Sequence, residues 1–250
     1  MSGQSLIALL TEFSETWSPV DFMLVAQHWS LFLIGLRNTL FLLAGPLALA
    51  CLFAVPLAIA RANRMKIANP IIFAYTYLFR GTPLLVQLYL LYYGAAQFSF
   101  IRDSFLWIFL REAWWCAFIS FTLCSTAYIT EILRGAIETV PKGEIEAAKA
   151  CGMSPFTSTR RIILPNAFRR ALPAFSNEVI FTLHATVIAS TVTIIDILGA
   201  ARLFNNKYYL AFDGFIVAAL LYMALVYAIN RGFKFWESKW HRHLPHERTT

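Results

Sequence analysis

The chain has 250 residues, of which 58% are hydrophobic and only 14% are charged. This balance excludes an ordinary soluble domain, and the length allows about five or six membrane spans of ~20 residues with no separate catalytic domain. The four cysteines have no Cys-x-x-Cys spacing, so neither a disulfide framework nor a metal site is indicated. We expect an all-α membrane protein whose net charge of +7 reflects membrane topology, with no nucleic acid partner.

The first half of the chain contains one clear span and one interrupted span. Residues 1–37 are mixed in character and are expected to lie outside the membrane or at its surface. The apolar stretch Asn38–Ala60 is long enough to cross a bilayer. The next apolar region, Ile71–Phe100, is interrupted at Arg80, and two interpretations stay open. Either one helix crosses with this arginine inside it, or an interfacial helix stops there and the span starts near Thr82.

Three further spans are predicted in the second half. The third is Trp114–Leu133, the fourth is Leu172–Ile195 and the fifth is Asp213–Ile229. A polar and basic segment, residues 136–170, separates the third span from the fourth. The chain ends in a basic tail whose three histidines are typical of a solvated end rather than of a metal site.

The distribution of lysine and arginine sets the orientation of the membrane domain, residues 38–230. With the N-terminus outside, fifteen of the 21 basic residues fall in cytosolic stretches, which include the segment 136–170 and the tail 231–250, and five fall outside. The opposite orientation would invert this bias, against the positive-inside rule. We therefore predict an outside N-terminus and a cytosolic location for the basic segment.

Ionisable residues inside predicted spans are costly and mark candidate functional sites. Arg80 precedes a Gly-Thr-Pro sequence where the helix should unwind, and unwound backbone at membrane depth lies beside a cavity or within protein. Arg80 either binds a substrate carboxylate or extends to the cytosolic headgroups. Thr82 and Gln87 are further candidates for substrate contact. Glu131 lies one turn before Arg134, and an i,i+3 ion pair accounts for it without a ligand, although it is also a candidate pathway residue.

The fourth span carries a carboxylate with no basic residue three or four positions away within the span. This residue, Glu178, must face a partner helix, a cavity or a cationic ligand, so substrate contact and an inter-helix clamp both remain open. Asn177 precedes it and is also a candidate. His184 lies on a different face of the helix and is more typical of a core histidine than of a proton relay. Asp196, at the outer end, is a helix-end carboxylate or an entry-gate residue.

The cytosolic segment has a helix–turn–helix pattern. Glu146 and the two alanines after it favour helix, Gly152 ends that helix and Pro165 starts a new element. The spacing resembles the EAA loop in the membrane subunits of ATP-binding-cassette importers, where this loop fits a groove on the cytosolic ATPase. The matching positions are Glu146, Ala147, Ala148, Gly152, Ile162, Leu164 and Pro165.

Further stretches resemble the polar-amino-acid permease subunits of type I importers, in particular the M-type subunits of histidine, lysine/arginine/ornithine and opine permeases. These stretches are Phe79–Gln87, Ala127–Ala136, Val140–Glu144 and Leu172–Ile180. The resemblance implies a type I importer membrane-domain fold with about five spans in the bacterial inner membrane. It also implies a permease subunit that moves an amino acid, either a basic one or an opine, by alternating access.

The same resemblance implies a chain that is not itself an enzyme. Its partners would be two copies of a cytosolic ATP-binding subunit docked on the EAA loop, a homologous but non-identical permease subunit and a periplasmic binding protein. The sequence has no Gly-x4-Gly-Lys-Ser/Thr loop, so ATP and Mg are expected on the ATPase and no cofactor on this chain. The alternative is an ion-coupled secondary carrier that works without ATPase subunits through Glu178 or His184, which leaves the EAA loop unexplained.

Overall fold

The computed structural model describes residues 22–210 and 212–240, so most of the N-terminal segment and the end of the basic tail, with its three histidines, lie outside the described residues. The α-helices are α1 (Phe22–Gln27), α2 (Trp29–Ala62), α3 (Ala68–Gly81), α4 (Leu84–Tyr89), α5 (Ser99–Arg102), α6 (Trp107–Leu110), α7 (Ala113–Glu138), α8 (Lys142–Ala150), α9 (Pro155–Ser158), α10 (Leu164–Ala185), α11 (Ile197–Tyr208) and α12 (Asp213–Trp240). Two π-helical turns, Leu90–Gly94 and Thr159–Ile163, and two 3₁₀ segments, Ala95–Gln97 and Thr186–Val192, extend these helices.

The described residues contain four helical segments that are long and apolar enough to cross a membrane. They are Trp29–Ala62, Ala113–Glu138, Pro155–Val192 and Asp213–Lys239. The pair Ala68–Gly81 and Leu84–Gln97 passes the same test only when the two helices are taken together, and it is bent by 101° at its break, so it is a fifth candidate span in two parts. The prediction of an all-α protein with about five spans is therefore confirmed.

Several helices extend beyond the apolar stretches that marked them in the sequence. Helix α2 already begins at Trp29, so the predicted boundary at residue 38 falls inside it. Helix α12 continues to Trp240, which makes the first part of the basic tail helical. The fourth span belongs to a helical segment that starts at Pro155 rather than near Leu172. Hydropathy detects only the part of a helix that lies in the hydrocarbon, whereas the backbone hydrogen bonds continue into polar flanking sequence.

The second span is broken where the sequence has Gly-Thr-Pro, so the interpretation as one uninterrupted helix is wrong. Thr82 is extended (φ −112°, ψ 141°) because the ring of Pro83 disfavours helical backbone at the residue before it. The break frees carbonyl groups that would otherwise be unpaired in the membrane. The Gln87 amide donates hydrogen bonds to the carbonyls of Phe79 (2.8 Å) and Thr82 (3.1 Å), which satisfies two of them.

Small side chains allow the central helices to approach closely. Ala50, Ala54 and Ala58 recur every fourth residue on one face of α2, and all three are fully buried. They belong to a core that also contains Ile129 and Leu133 of α7. Lipid offers little hydrophobic driving force between helices, so this small-residue packing is what holds the bundle together in the membrane.

A polar cluster joins α11 to two spans at the outer end of the bundle. The Asp196 carboxylate is fully buried, caps α11 by accepting from the Gly199 N–H (2.8 Å) and accepts from the Tyr222 hydroxyl of α12 (3.1 Å). Burial raises the pKa of the Asp196 carboxyl because the loss of hydration outweighs these hydrogen bonds. Asn38 of α2 donates to the Ile195 carbonyl (2.8 Å). Of the two sequence interpretations of Asp196, the helix-end carboxylate is confirmed.

We expect Asp196→Ala to lower the stability of the folded chain by about 2–3 kcal/mol, because it removes a helix cap and a partner of a buried hydroxyl. Asp196→Asn keeps a capping oxygen without a charge and should cost less than about 1 kcal/mol. Thermal unfolding of both variants in the same detergent measures the difference. An alanine variant that unfolds at the temperature of the unchanged chain would show that the cluster is not structural.

Candidate functional site

A cavity of about 530 Å³ lies between the break in the second span, helix α7 and helix α10. Each element presents one face to it: residues 80–84 from the break, residues 121, 124, 125 and 128 from α7, and residues 178, 181, 182 and 185 from α10. The last two sets follow helical spacing, so a single face of each helix lines the space. Its functional lining residues are Arg80, Thr82, Ser125, Tyr128, Glu178 and Phe181.

The carboxylate of Glu178 faces this cavity without a cationic partner. Only 7% of the residue is exposed, and within the described ranges no lysine or arginine lies within ion-pair distance of it. The Thr182 hydroxyl donates to Oε1 (3.5 Å) and shares a hydrogen bond with the Ser125 hydroxyl (3.2 Å). Hydroxyl groups alone compensate a buried carboxylate poorly, so the site favours a cation in the cavity.

Arg80 lies at the break, and its side chain also lacks a carboxylate partner in the part of the chain that the structure describes. Its guanidinium lies over the Tyr128 ring, 5.2 Å from the ring centre, and its carbonyl accepts from the Tyr128 hydroxyl (3.4 Å). Stacking on an aromatic face stabilises the cation and leaves its N–H donors free. The cavity is therefore lined by an unpaired guanidinium, which can donate hydrogen bonds, and by an unpaired carboxylate, which can accept them.

Glu131, in contrast, is fully paired and lies outside the cavity. It accepts from Arg134 (2.7 Å), as the i,i+3 spacing predicted, and also from Arg61 (3.1 Å) and the Thr76 hydroxyl (3.1 Å). The Glu131 side chain is 11% exposed and joins α2, α3 and α7. It borders a smaller space of about 300 Å³ on the other side of Arg80.

Of the predicted pathway residues, the structure brings Arg80, Thr82 and Glu178 together. Gln87 is used at the break in the second span, whereas Asn177 and His184 are exposed on α10 and do not line the cavity. Sequence reasoning missed the α7 residues Cys124, Ser125 and Tyr128 and, on α10, Thr182 and Phe181. Small polar residues at positions one turn apart in an apolar span were the signal that could have identified the α7 face.

The cytosolic segment forms a compact hairpin whose turn depends on Gly152. This glycine is left-handed (φ 73°), its N–H donates to the Lys149 carbonyl (2.9 Å), and the Met153 N–H donates to the Ala148 carbonyl (3.0 Å). These two bonds form a Schellman motif, so the predicted end of the helix at Gly152 is confirmed. Ser154 then caps the next helix by accepting from the Thr157 N–H (3.2 Å).

One face of the hairpin is exposed, and its other face packs on the bundle. Glu144 accepts from the Asn166 amide (2.6 Å), which ties the two arms together, while Ile145 and Ile163 pack on the core between α2 and α7. Ala148 is buried. Of the other coupling candidates, Leu164 is half-buried, whereas Glu146, Ala147, Gly152 and Pro165 are exposed.

Helix runs without interruption from the hairpin to the cavity. Pro165 does not start a separate element as predicted, because the segment Pro155–Val192 is one continuous helix of 38 residues. The wider π-helical turn Thr159–Ile163 ends two residues before the proline, whose missing N–H and bulky ring normally distort a helix. At ~1.5 Å per residue the helix is roughly 57 Å long and contains both the second arm of the hairpin and Glu178.

Five spans, a charged cavity beside a broken helix and a cytosolic hairpin continuous with one span define a membrane subunit of a transport system. Residues 50–241 match the family of binding-protein-dependent transport system inner membrane components. The chain belongs to this family and is therefore a multi-pass protein of the inner membrane. The family match leaves the interpretation as an ion-coupled carrier without support.

Named relatives cover most of the chain. It is 43% identical to the histidine/lysine/arginine/ornithine transport system permease protein HisM of Salmonella typhimurium, over 84% of this chain and 90% of that protein. It is 41% identical to the octopine transport system permease protein OccM of Rhizobium radiobacter, over 88% of this chain and 89% of that protein. It is 38% identical to the nopaline transport system permease protein NocM of Agrobacterium fabrum, over 85% and 88%.

Solved structures have the same fold. The crystal structure of an amino acid ABC transporter with histidines superposes with a TM-score of 0.78 and 28% identity, over 89% of this chain and all of that chain. The inward-facing MetNI methionine ABC transporter superposes with a TM-score of 0.71 at 18% identity, over 84% and 95%, which supports the fold alone. The type I importer membrane-domain fold implied by the sequence resemblance is confirmed.

The two glutamates paired with Arg134 make a matched test of the buried cluster. We expect Glu131→Ala to destabilise the chain by about 2–4 kcal/mol because it leaves Arg61 without a carboxylate partner beside the core and Arg134 with only Glu138. Glu138→Ala should cost less than about 1 kcal/mol, since the Glu138 side chain is 43% exposed and its ion pair is solvated. Thermal unfolding in detergent compares the two, and equal losses would contradict the structural role of Glu131.

Proposed function

We propose that this chain is the permease subunit of an importer that moves an amino acid with a cationic side chain, or an opine, across the inner membrane. The pair of opposite charges in the cavity carries this proposal. Arg80 offers a donor fork to the carboxylate of the substrate, and Glu178 accepts its cationic side chain. The volume of about 530 Å³ lies in the range of sites that enclose small ligands.

The names of the relatives support this substrate class. Histidine, lysine, arginine, ornithine, octopine and nopaline all carry a carboxylate together with a basic group, although histidine is only partly charged at neutral pH. A site that had only the arginine would bind neutral and acidic amino acids equally well. The buried carboxylate on α10 is the feature that favours a basic substrate.

The energy for import comes from a separate subunit in this proposal. The sequence lacks the phosphate-binding loop of an ATPase, so ATP and Mg bind to two copies of a cytosolic partner that dock on the exposed face of the hairpin around Gly152. ATP binding moves the hairpin, and the continuous helix Pro155–Val192 transmits this motion to Glu178, which opens the cavity to one side of the membrane at a time.

A second, homologous permease subunit completes the pathway in this proposal, and a periplasmic binding protein delivers the substrate to it. Asn177, Phe181 and His184 lie along α10, and all three are exposed within a membrane span. Polar groups such as Asn177 and His184 are costly against lipid, so another protein surface covers this face. Phe181 is 69% exposed and lines the cavity, so the same subunit would also close the cavity.

Neutralising Glu178 tests the substrate assignment. In proteoliposomes with the complete transporter, we expect Glu178→Gln to raise the KM for lysine about 10- to 100-fold, because it removes a desolvated charge–charge contact. The matched control is Glu112→Gln, at a solvent-exposed glutamate outside the spans, which should leave the KM unchanged. An unchanged KM in Glu178→Gln would exclude this carboxylate from the site.

A charge at the apex of the hairpin tests the coupling role. A Cβ atom added at Gly152 meets no neighbouring heavy atom within 4 Å, and aspartate tolerates left-handed backbone, so Gly152→Asp should fold and insert. We expect it to lower the number of substrates imported per ATP by at least about fivefold. Gly152→Asn has the same shape without the charge and should stay coupled. ATP-driven uptake at the normal level in Gly152→Asp would contradict the assignment.

A further inference from the structure

A cytosolic groove of about 450 Å³ lies between the end of α2 and the second arm of the hairpin. The loop after α2 contributes Asn63 and Met65, and the hairpin contributes Pro155, Phe156 and Arg160. The groove is mostly apolar inside, and its two sides come from parts of the chain that are distant in sequence. Of the coupling positions, Leu164 lines the groove, whereas Glu146, Ala147, Ala148 and Gly152 do not.

Basic residues surround this groove, which the positive-inside rule places on the cytosolic side of the membrane. Phe156 lies 14 residues before Arg170 on one helix, a separation of roughly 20 Å along the helix axis. Phe156 is nevertheless 74% exposed, and Met65 on the opposite side is 53% exposed. Large apolar side chains exposed together outside the bilayer mark a surface that binds another protein.

The loop beside the groove is held in a conformation that suits glycine and not arginine. Arg64 has φ 51°, its N–H donates to the Arg61 carbonyl (3.1 Å), and the Met65 N–H donates to the Ala60 carbonyl (3.3 Å). This is a Schellman motif, in which glycine normally occupies the left-handed position because a side chain there is strained. A strained residue at a surface turn points to a functional use of its side chain.

The Arg64 side chain is free to bind a partner. It is exposed and has no ion pair or side-chain hydrogen bond within residues 22–210 and 212–240. Lys66 and Arg160 are also exposed and unpaired in these ranges, so basic groups surround the groove. The complementary surface is an apolar side chain flanked by carboxylates.

We propose that this groove is a second docking site for the cytosolic ATPase subunit, which inserts an apolar side chain beside Phe156 and pairs a carboxylate with Arg64. This inference rests on the proposed function, in which the ATPase docks on the hairpin. The second arm of the hairpin forms one side of the groove, so a single partner can contact the hairpin and the groove as one continuous surface. The contact fixes the ATPase to the end of α2 as well as to the start of the long helix. Closure of the ATPase then changes the distance between the end of α2 and the start of the long helix.

Substitutions at Arg64 separate docking from folding, because we expect them to weaken ATPase binding without lowering the thermal stability of the chain. Arg64→Gly and Arg64→Asn both relieve the left-handed strain and remove the charge, so each should unfold at the same or a higher temperature than the unchanged chain. Both should weaken binding of the ATPase about three- to tenfold, the loss of one charge-assisted contact. Arg64→Lys keeps charge and strain and should bind within about twofold of the unchanged chain.

The measurement is a titration of labelled ATPase subunit onto the two permease subunits in nanodiscs of phosphatidylcholine. Weaker binding of the glycine and asparagine variants, with unchanged or higher thermal stability, supports the second docking site. Equal affinity of all variants overturns it, and so does a loss that arises only when anionic lipid is added, since Arg64 would then bind headgroups. Failure of the unchanged chain to bind the ATPase would overturn the proposed function itself.

Discussion

The helix Pro155–Val192 is the element on which the rest of the molecule depends. It crosses the membrane without interruption, contains the second arm of the cytosolic hairpin and places a carboxylate at the cavity roughly 30 Å away from the hairpin along its axis. Backbone groups in the bilayer must be satisfied within the helix, so this segment cannot bend freely between these points. In the proposed mechanism, a displacement at its cytosolic end therefore moves Glu178 relative to the break in the second span.

The two charged groups of the cavity, Arg80 and Glu178, have no ion-pair partner in the described part of the chain and so remain able to bind a ligand. Arg80 lies next to the break that Pro83 imposes, and its guanidinium stacks on the Tyr128 ring. The side-chain hydrogen bonds of Glu178 come from hydroxyl groups alone. Each would be more stable with an ion-pair partner in the chain. Glu131 has such partners in Arg61 and Arg134, and it is correspondingly structural. The unpaired state of the cavity charges is the feature that supports the proposed binding site over an inter-helix clamp.

Local features of the structure could be read from the sequence, and long-range ones could not. The break before Pro83, the turn at Gly152 and the pairing of Glu131 with Arg134 all depend on neighbours within four residues. The contact of Glu131 with Arg61 spans 70 positions, and only the fold reveals it. Likewise, Gln87 was expected near substrate, but it closes a break whose free carbonyls are visible only in three dimensions. Nor does the sequence reveal that the fourth span continues into the hairpin, because a π-helical turn absorbs Pro165.

The accessibility of the cavity in two nucleotide states tests most directly whether the hairpin controls it. A single cysteine at position 181, at the exposed rim of the cavity, is introduced after the four native cysteines are changed to serine. Membrane-impermeant thiol reagents are then applied from either side of proteoliposomes that contain the whole transporter. Labelling from one side without nucleotide and from the other with ATP trapped on the ATPase is the predicted result. Labelling from the same side in both states would contradict alternating access at this cavity.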